Sequence, residues 1–333
     1  MNNKILINNR ILIKRNLPKN HEPQDSFLFS REIERELPHL HSFSHKNICI
    51  NANQYLWKNL FFLEETFFRR EKRKKEKLPN FKFLIKSLFK KKRIINEGLW
   101  LIDNWSHGYF HWFGDVLQKY YALKKEGSKL ILPYSYSKID FIITSSKILN
   151  IELEFIHQDE ILKCNNLIIV PTTFISGNFY DNLMMTIQSK FSKIINQKKT
   201  TIKTLYISRK QTGRRKVKNE KEVSKLIKES GGKTLILEEL NWTDQLSYFN
   251  NCEVLISPHG ASLTNMLFSS SSVKIIEFRH QNSKAQNMYF SLSSSLKLDY
   301  FYIKCQGDGE DPHISNINVP LDELNLILKN IDK

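Results

Sequence analysis

Apolar and polar positions follow two recurring patterns along this chain. Short apolar runs such as residues 129–133 and 253–257 predict buried strands, whereas apolar positions three and four residues apart, as in residues 109–125, predict helices with one buried face. From residue 98 onward the two patterns alternate regularly. Because strands that alternate with helices form parallel sheets through right-handed crossovers, the pattern predicts an α/β fold.

The same patterns predict elements along most of the chain. The predicted strands are residues 46–51, 98–103, 129–133, 153–156, 167–171, 204–207, 234–237, 253–257, 273–278 and 298–303. The predicted helices are residues 53–73, 109–125, 139–149, 182–196, 220–230, 243–250, 262–268, 284–295 and 320–331. A chain of 333 residues exceeds the usual size of one core, and the polar run 197–201 separates two alternating halves. We therefore predict two domains, residues 1–198 and 199–333, with the last helix packed back on the first half.

Basic residues are concentrated in one segment. The net charge is +17, and residues 69–93 contain thirteen Lys or Arg against two Glu, interleaved with phenylalanine and leucine. Such a segment can bind anionic lipid head groups, or it can be a solvated, lysine-rich surface, and the composition leaves both alternatives open. No nucleic-acid-binding motif accompanies the charge, so nucleic acid is not expected as a partner.

No stretch of the sequence has the character of a membrane-crossing segment. It contains no run of eighteen apolar residues, and Lys4, Arg10, Lys14 and Arg15 interrupt the apolar stretch that a signal peptide would need. Its four cysteines are widely spaced, which is typical of reduced thiols. We expect a cytoplasmic protein, either free or bound peripherally to the inner face of the cell membrane.

Three polar residues follow the predicted strand 98–103 at a spacing of four. On a helix, His107, His111 and Asp115 would lie one above another on one face. A carboxylate beside an imidazole can act as a general base or orient a hydroxyl group. Histidines one turn apart are also a common metal-ligand spacing, but the sequence supplies no clear further ligands, so no metal site is predicted. The alternative without a functional role is a core histidine beside a surface aspartate.

A cluster of arginines follows the predicted strand 204–207. Guanidinium groups match phosphate oxygens in a bidentate manner, and doubly wound sheets bind ligands at the carboxyl ends of their strands. The loop is also rich in lysine, so an exposed basic loop is the alternative. The candidate residues are Arg209, Arg214, Arg215 and Asn219, the last of which is placed to cap the next helix.

Strand 253–257 leads into a proline–histidine–glycine turn and the predicted start of a helix. The unpaired N–H groups and the dipole of a helix start favour an anion such as phosphate. Glu277 is placed either to accept hydrogen bonds from ribose hydroxyls or to pair with Arg279, and both alternatives stay open. Glycine-rich dinucleotide and P-loop motifs are absent from the sequence, as is a Gly-x-Ser-x-Gly elbow. The candidate ligands at the turn are His259, Gly260, Ala261, Ser262 and Asn265.

Taken in order, these motifs resemble those of glycosyltransferase family 61. They are Phe110-His111-Trp112-Phe113-Gly114-Asp115, then Ile207-Ser208-Arg209 with Arg214-Arg215 and Asn219-Glu220, then Pro258-His259-Gly260-Ala261-Ser262-Leu263-Thr264-Asn265 with Ile275-Ile276-Glu277. The third motif is the most specific, and the resemblance covers about residues 99–298. Family members often carry Asn-Tyr before the His-Trp pair, whereas residues 104–108 intervene here, which leaves the role of His107 open.

The resemblance implies a GT-B fold, in which two Rossmann-like domains face a cleft and the C-terminal one holds a nucleotide sugar. It implies an inverting transfer without an obligatory metal, from a nucleotide sugar, with a UDP-sugar favoured, to a glycan or lipid-linked glycan in bacterial surface polysaccharide biosynthesis. Arg209 and Arg214 would neutralise the diphosphate, and Asp115 would be the base with His111 in support, or with these two roles exchanged. The rival hypotheses are a non-catalytic GT-B-like module that binds a nucleotide or polyanion and, more weakly, a nucleic-acid-binding protein.

Overall fold

Contacts divide the chain into two compact α/β units. The computed structural model describes residues 3–59, 61–63, 83, 85, 87, 89–125, 127–172, 176–194, 202–284 and 287–331. Unit 1 comprises Met1–Ile11 and Glu36–Ser176, and unit 2 comprises Leu12–Arg35 and Gly177–Lys333. Both units contain parallel strands, as the alternating pattern predicts. Within the described part of the chain, no helix is both long enough and apolar enough to cross a bilayer.

The strands and helices have the following bounds. The strands are β1 (Asn3–Asn8), β2 (Ile11–Lys14), β3 (Glu34–Leu37), β4 (Leu40–Asn51), β5 (Leu56–Lys58), β6 (Phe61–Phe62), β7 (Lys91–Trp100), β8 (Leu130–Pro133), β9 (Leu153–Ile156), β10 (Glu160–Ile169), β11 (Ile202–Ile207), β12 (Lys233–Leu235), β13 (Cys252–Pro258), β14 (Lys274–His280), β15 (Asp299–Gly307) and β16 (Ile317–Asn318). The helices are α1 (Ser26–Ile33), α2 (109–123), α3 (Asp140–Ile148), α4 (Asp181–Ile194), α5 (Glu220–Glu229), α6 (Trp242–Asn250), α7 (Met288–Ser295) and α8 (Leu321–Asn330), with 3₁₀ segments at Pro23–Asp25, Tyr134–Lys138, Leu237–Glu239 and Ala261–Phe268.

Unit 1 is built on a mixed sheet. Its strand order is β6-β5-β4-β10-β7-β8-β9, with β1 paired to β4. The neighbours β10, β7, β8 and β9 are parallel, while β4 is antiparallel to β10. The predicted strands 98–103 and 167–171 overlap only the carboxyl ends of β7 and β10, which begin earlier and end at Trp100 and Ile169. The ends of these parallel strands place the loop that leads into α2.

The predicted helix 53–73 is wrong where the structure describes it, because the segment holds the hairpin β5–β6. Trp57 is paired with Phe62 and both are buried, whereas their neighbours Lys58 and Phe61 are exposed. Leu56 is buried as well, so burial along β5 does not alternate strictly, and the backbone pairing defines the antiparallel hairpin. The two aromatic side chains pack with Ile161 of the central strand β10. Most of the basic segment 69–93 lies outside the described residues.

Unit 2 is built on the sheet β12-β11-β13-β14-β15-β16, which is parallel except for its last pair. Apolar side chains of its central strands form the core together with residues of α5 and α8. Leu324 of α8 is fully buried in the same core as Val223 and Ile227 of α5. The last helix therefore packs on its own unit, and not on the first half of the chain as predicted.

The units meet in sequence between Ser176 and Gly177, earlier than residue 198, where we placed the domain boundary. The physical reason is α4, whose side chains pack within unit 2. The Phe191 ring lies 4.8 Å from that of Phe268 and 6.3 Å from that of Trp242. The predicted linker 197–201 lies outside the described residues, and a division of the chain into two separate domains stays a prediction.

Candidate active site

A compact turn after β7 prepares the start of α2. The Asp103 carboxylate accepts hydrogen bonds from the Trp105 N–H at 2.9 Å and from the Ser106 hydroxyl at 3.1 Å. The Ser106 oxygen in turn accepts the Asp103 N–H at 2.8 Å. Both polar side chains are buried, and these reciprocal hydrogen bonds fix the path of the loop. The turn sets the Trp105 ring edge-on to His111, with 5.3 Å between the ring centroids.

Helix α2 changes its winding within the motif that carries His111 and Asp115. Tyr109–His111 and Leu117–Leu123 are α-helical, but Trp112–Val116 between them is π-helical, and all five of its residues are buried. The Trp112 Nε1 donates a hydrogen bond of 2.9 Å to the Ser145 hydroxyl. Single π-helical turns inside α-helices occur frequently at functional sites. The π-helical turn lies at the position where a catalytic pair is predicted.

His111, Asp115 and Ser176 form a triangle of hydrogen-bonding groups. The His111 Nδ1 lies 2.8 Å from Asp115 Oδ2, and the Ser176 hydroxyl donates to the same oxygen at 2.7 Å. The Ser176 oxygen is also 3.1 Å from His111 Nδ1. An ionised carboxylate can only accept, so in the neutral imidazole the proton lies on Nδ1 and Nε2 carries the lone pair. The His111 side chain is 21% exposed and that of Asp115 only 4%.

His107 does not share a helix face with this pair. The helix begins at Tyr109 with Gly108 as its N-cap residue, so His107 precedes it and is exposed. The spacing of four residues therefore does not place His107 on the helix face of His111, because residue 107 lies in the loop before the helix. Ser176, in contrast, was missed by the sequence analysis, because no motif surrounds it and only the fold brings it to Asp115.

In unit 2, the guanidinium group of Arg209 lies against Gly260. A Cβ atom at position 260 would fall 2.9 Å from Arg209 Cζ and closer still to Nη1. Both residues follow the carboxyl ends of adjacent parallel strands, β11 and β13. The structure therefore brings Arg209 of the arginine loop to the glycine turn, at the carboxyl ends of adjacent parallel strands where a ligand site is expected.

Two arginines of this cluster have buried nitrogens without partners. Among the residues that the structure describes, neither Arg209 Nε nor Arg215 Nε has a hydrogen-bond partner. Burial and the neighbouring Arg215 lower the pKa of Arg209 to about 10, and burial also lowers the pKa of Arg215. Cations that are crowded together and stripped of water form a site that an anion would complete.

Arg214 and Asn219 lie differently from what the sequence suggests. Arg214 is exposed, whereas Arg215 is half-buried with a left-handed backbone (φ 57°) and lines a small cavity with His259. Asn219 occupies the N-cap position of α5, but its side chain does not cap the helix. Its amide instead donates to the Val319 carbonyl at 2.8 Å and accepts the Val319 N–H at 2.9 Å.

Glu277 is fully buried beneath His259, and not at an exposed strand edge. One carboxylate oxygen bonds to His259 Nδ1 and the other accepts the Tyr300 hydroxyl at 2.5 Å, while Arg279 Nη1 lies 3.9 Å away. Burial by itself favours the neutral acid, but His259 and Arg279 outweigh it and hold the pKa of Glu277 below its ordinary value. The carboxylate is thus committed to internal partners. Pairing with Arg279 is one of the two alternatives that the sequence left open, whereas no sequence motif pointed to Tyr300.

The segment after Gly260 is a 3₁₀ helix over Ala261–Phe268. Ala261 is exposed at its start. The Ser262 hydroxyl lies 2.7 Å from the Ser257 hydroxyl, and the Asn265 amide donates to the Ser262 carbonyl at 2.8 Å. These bonds pin the segment to the end of β13, where the first N–H groups of a helical segment lack intrahelical acceptors.

Comparison with known families agrees with these two clusters. The sequence model of the family described as Glycosyltransferase 61 matches residues 109–276, half of the chain, from the start of α2 to the residue before Glu277. No curated protein matches the chain. The match spans the His111–Asp115 pair, the arginine loop and the glycine turn. The chain therefore belongs to glycosyltransferase family 61 and is a glycosyltransferase.

Proposed function

We propose that this enzyme transfers a sugar from a nucleotide sugar, preferably a UDP-sugar, to a hydroxyl group of a glycan or lipid-linked glycan, with inversion at the anomeric carbon. The proposal includes a GT-B fold, with the donor bound by unit 2 and the acceptor by unit 1, and a role in bacterial surface polysaccharide biosynthesis. The observation that carries it is a pair of buried arginine nitrogens that have no hydrogen-bond partner among the described residues: Nε of Arg209, which lies against Gly260, and Nε of Arg215, which lines a cavity with His259.

In this proposal the arginines bind the diphosphate of the donor. Arg209 and Arg215 lose the penalty of their mutual repulsion when pyrophosphate oxygens lie between them. As the bond from the anomeric carbon to the diphosphate oxygen breaks, negative charge grows on the leaving group, and donors that are already in place stabilise it. The guanidinium groups thereby supply the charge stabilisation without an obligatory metal ion. Arg214 is placed to contribute only from the exposed rim of the loop.

We assign the role of base to His111 and that of orienting group to Asp115. His111 is the more exposed of the two, and its Nε2 faces away from the carboxylate that holds Nδ1. The acceptor hydroxyl gives its proton to Nε2 while its oxygen attacks the anomeric carbon, and the diphosphate leaves from the opposite side. Asp115 holds the ring in the required tautomer, as the third member of a catalytic triad does, and the Ser176 hydroxyl positions the Asp115 carboxylate.

A thermal-shift screen with UDP-, GDP-, CMP- and TDP-sugars tests the donor assignment. A ligand that binds only the folded form raises the melting temperature, by an amount that corresponds to about 2.7 kcal/mol at a hundredfold excess over Kd. We expect one of the three nucleoside-diphosphate sugar classes to raise it, and the corresponding nucleoside diphosphate to do so as well, whereas the CMP-sugar, which has no diphosphate, should not. If no nucleotide sugar shifts the transition while an acidic polysaccharide does, the chain is a polyanion-binding module and the proposal is wrong.

We further propose that the enzyme works at an anionic membrane surface. Phe89 is 86% exposed and Ile94 is 62% exposed, and Lys91 and Lys92 between them are exposed as well, whereas Lys90 is half-buried. Exposed apolar side chains interleaved with lysines match a bilayer interface, in which the apolar groups enter the acyl boundary and the ammonium groups meet phosphates. This supports a peripheral location on the inner face of the cell membrane.

Co-sedimentation with vesicles tests this location. We expect binding to vesicles that contain phosphatidylglycerol, weak binding to phosphatidylcholine vesicles, and release by salt. A Phe89→Ser variant should bind about tenfold more weakly, since it withholds one aromatic side chain from the bilayer. Leu326→Ser is the matched control, because Leu326 is similarly exposed (61%) on α8 in unit 2. Equal binding by both variants and the wild type would rule out Phe89 as an anchor.

A further inference from the structure

The interior of unit 2 holds His259 in a defined orientation. Its Nδ1 bonds to Glu277, whose second oxygen is taken by Tyr300. Arg279 fixes this array from below: its Nη2 donates to the Asn287 side chain at 2.8 Å and to the Ser283 carbonyl at 3.0 Å. Because an ionised carboxylate only accepts hydrogen bonds, the His259 proton lies on Nδ1 when the ring is neutral.

The second ring nitrogen of His259 is the one available to a ligand. Among the described residues, the His259 side chain bonds to Glu277 through Nδ1, the His259 backbone N–H donates to the Phe278 carbonyl at 3.0 Å, and Nε2 has no hydrogen-bond partner. His259 lines a small cavity together with Arg215 and His280. His280 has both nitrogens engaged, with Nε2 2.9 Å from the Gly309 carbonyl and Nδ1 accepting the Asn282 N–H at 3.0 Å.

The charged and titratable groups around His259 shift its pKa in opposite directions. Burial lowers the pKa of His259 below its ordinary value, Glu277 acts against this, and Arg279 and Arg215 lower it further. The Tyr289 ring of α7 packs against the imidazole with 5.0 Å between centroids. Without a ligand the ring is therefore neutral at neutral pH, and Nε2 then carries a lone pair, which no phosphate oxygen can use.

We propose that the donor site binds a nucleoside diphosphate group together with one proton, and that His259 receives this proton on Nε2. The inference rests on the proposed function, since it takes the pyrophosphate of the donor as the anion beside Arg209 and Arg215. A pyrophosphate oxygen there cancels the repulsion from Arg215 and offers an acceptor for an Nε2–H group, so binding favours the imidazolium. Glu277 is then a positioning residue that balances this charge.

The proton comes from solvent and returns to it when the nucleoside diphosphate leaves. While it is present, His259 adds a third cation to the leaving group beside the two arginines. The coupling between proton uptake and donor binding fixes how donor affinity depends on pH. Affinity falls as the pH rises from the pKa of the free site to that of the occupied site, by at most about tenfold per pH unit, and is constant outside that window.

Isothermal calorimetry in buffers of different ionisation enthalpy measures the proton uptake. The probes are UDP-glucose, GDP-mannose and dTDP-glucose, whose pyrophosphate diesters do not titrate near neutral pH, in HEPES and in Tris at about pH 7.5. We expect the wild type to take up a substantial fraction of one proton with the probe that binds. His259→Asn keeps a donor for Glu277 but has no titrating ring, and should bind with little uptake and a flat pH profile. His280→Asn is the control that should retain the uptake.

The outcomes separate the inference from the proposed function. Binding of a probe by the wild type without proton uptake overturns the inference alone, as does full uptake in His259→Asn. Failure of the wild type to bind any of the three probes overturns both. If His259→Asn does not fold, Glu277→Gln replaces it: the loss of the balancing charge should lower the uptake, and unchanged uptake contradicts the inference.

Discussion

An Asp115→Asn variant is expected to lose sugar transfer by a factor of about 10³ to 10⁴ while it keeps its affinity for the nucleotide sugar. An asparagine amide at this position can donate to His111 Nδ1, which would then hold the lone pair and leave a proton on Nε2. A protonated Nε2 cannot take the proton of the acceptor hydroxyl. The measurement is kcat, together with the thermal shift caused by the donor.

Two further variants test whether the loss of kcat is specific to the Asp115 carboxylate. Ser176→Ala removes one of the two donors to Asp115 Oδ2 and leaves the tautomer intact, so a loss of about tenfold is expected. Asp140→Asn changes an exposed aspartate on α3 of the same unit and should leave kcat unchanged. A wild-type kcat in Asp115→Asn would show that the carboxylate does not act through His111. A loss of donor binding in that variant would instead indicate misfolding or a donor contact.

The alternation of apolar runs and amphipathic helices predicted the parallel strands of both units because it reports burial directly. Parallel strands such as β8 and the centre of β13 are covered on both faces, so residues 130–133 and 254–256 form continuous apolar runs. The hairpin β5–β6 was not predicted from this alternation. Its strands are only three and two residues long, too short for a period of two to stand out.

The sequence motifs located the two clusters but not their internal geometry. His111 and Asp115 are four residues apart in sequence, and the contact between them follows from helical periodicity. The position of Ser176 depends on how a distant loop folds back, and no local pattern encodes it. For the same reason Tyr300 was not assigned to Glu277: they lie on adjacent parallel strands, whose register is set by the whole sheet.

The choice between Arg214 and Arg215 illustrates a second limit. Both are adjacent arginines in a basic loop, and the resemblance favoured Arg214. The structure gives Arg215 a left-handed backbone, which turns its side chain toward the cavity with His259 and leaves Arg214 exposed. Such a conformation is uncommon for a residue other than glycine, so composition does not reveal it, and it often marks functional sites.

An Arg209→Ala variant is expected to lose donor affinity and transfer by about 10² to 10³, yet to melt at the same temperature as the wild type or slightly above it. Arg209 is a half-buried cation whose buried Nε has no partner among the described residues, and burial lowers its pKa to about 10. A lowered pKa of a cation means that folding disfavours the charged form at neutral pH, so removal of the charge relieves the fold. Donor-induced thermal shift and the melting temperature without ligand are the two measurements.

Neighbouring substitutions make this prediction specific. Arg214→Ala removes an exposed charge and should weaken donor binding only a few-fold. Gly260→Ala retains the arginine at position 209 but puts a methyl group where its guanidinium lies, so donor affinity should fall. The melting temperature should change little, because only the end of the flexible Arg209 side chain must move. Gly213→Ala in the arginine loop itself is the control, because a Cβ there meets no atom within 4 Å. If Gly260→Ala and Gly213→Ala bind the donor equally well, or if Arg214→Ala is as damaging as Arg209→Ala, the pyrophosphate does not bind where Arg209 meets the glycine turn.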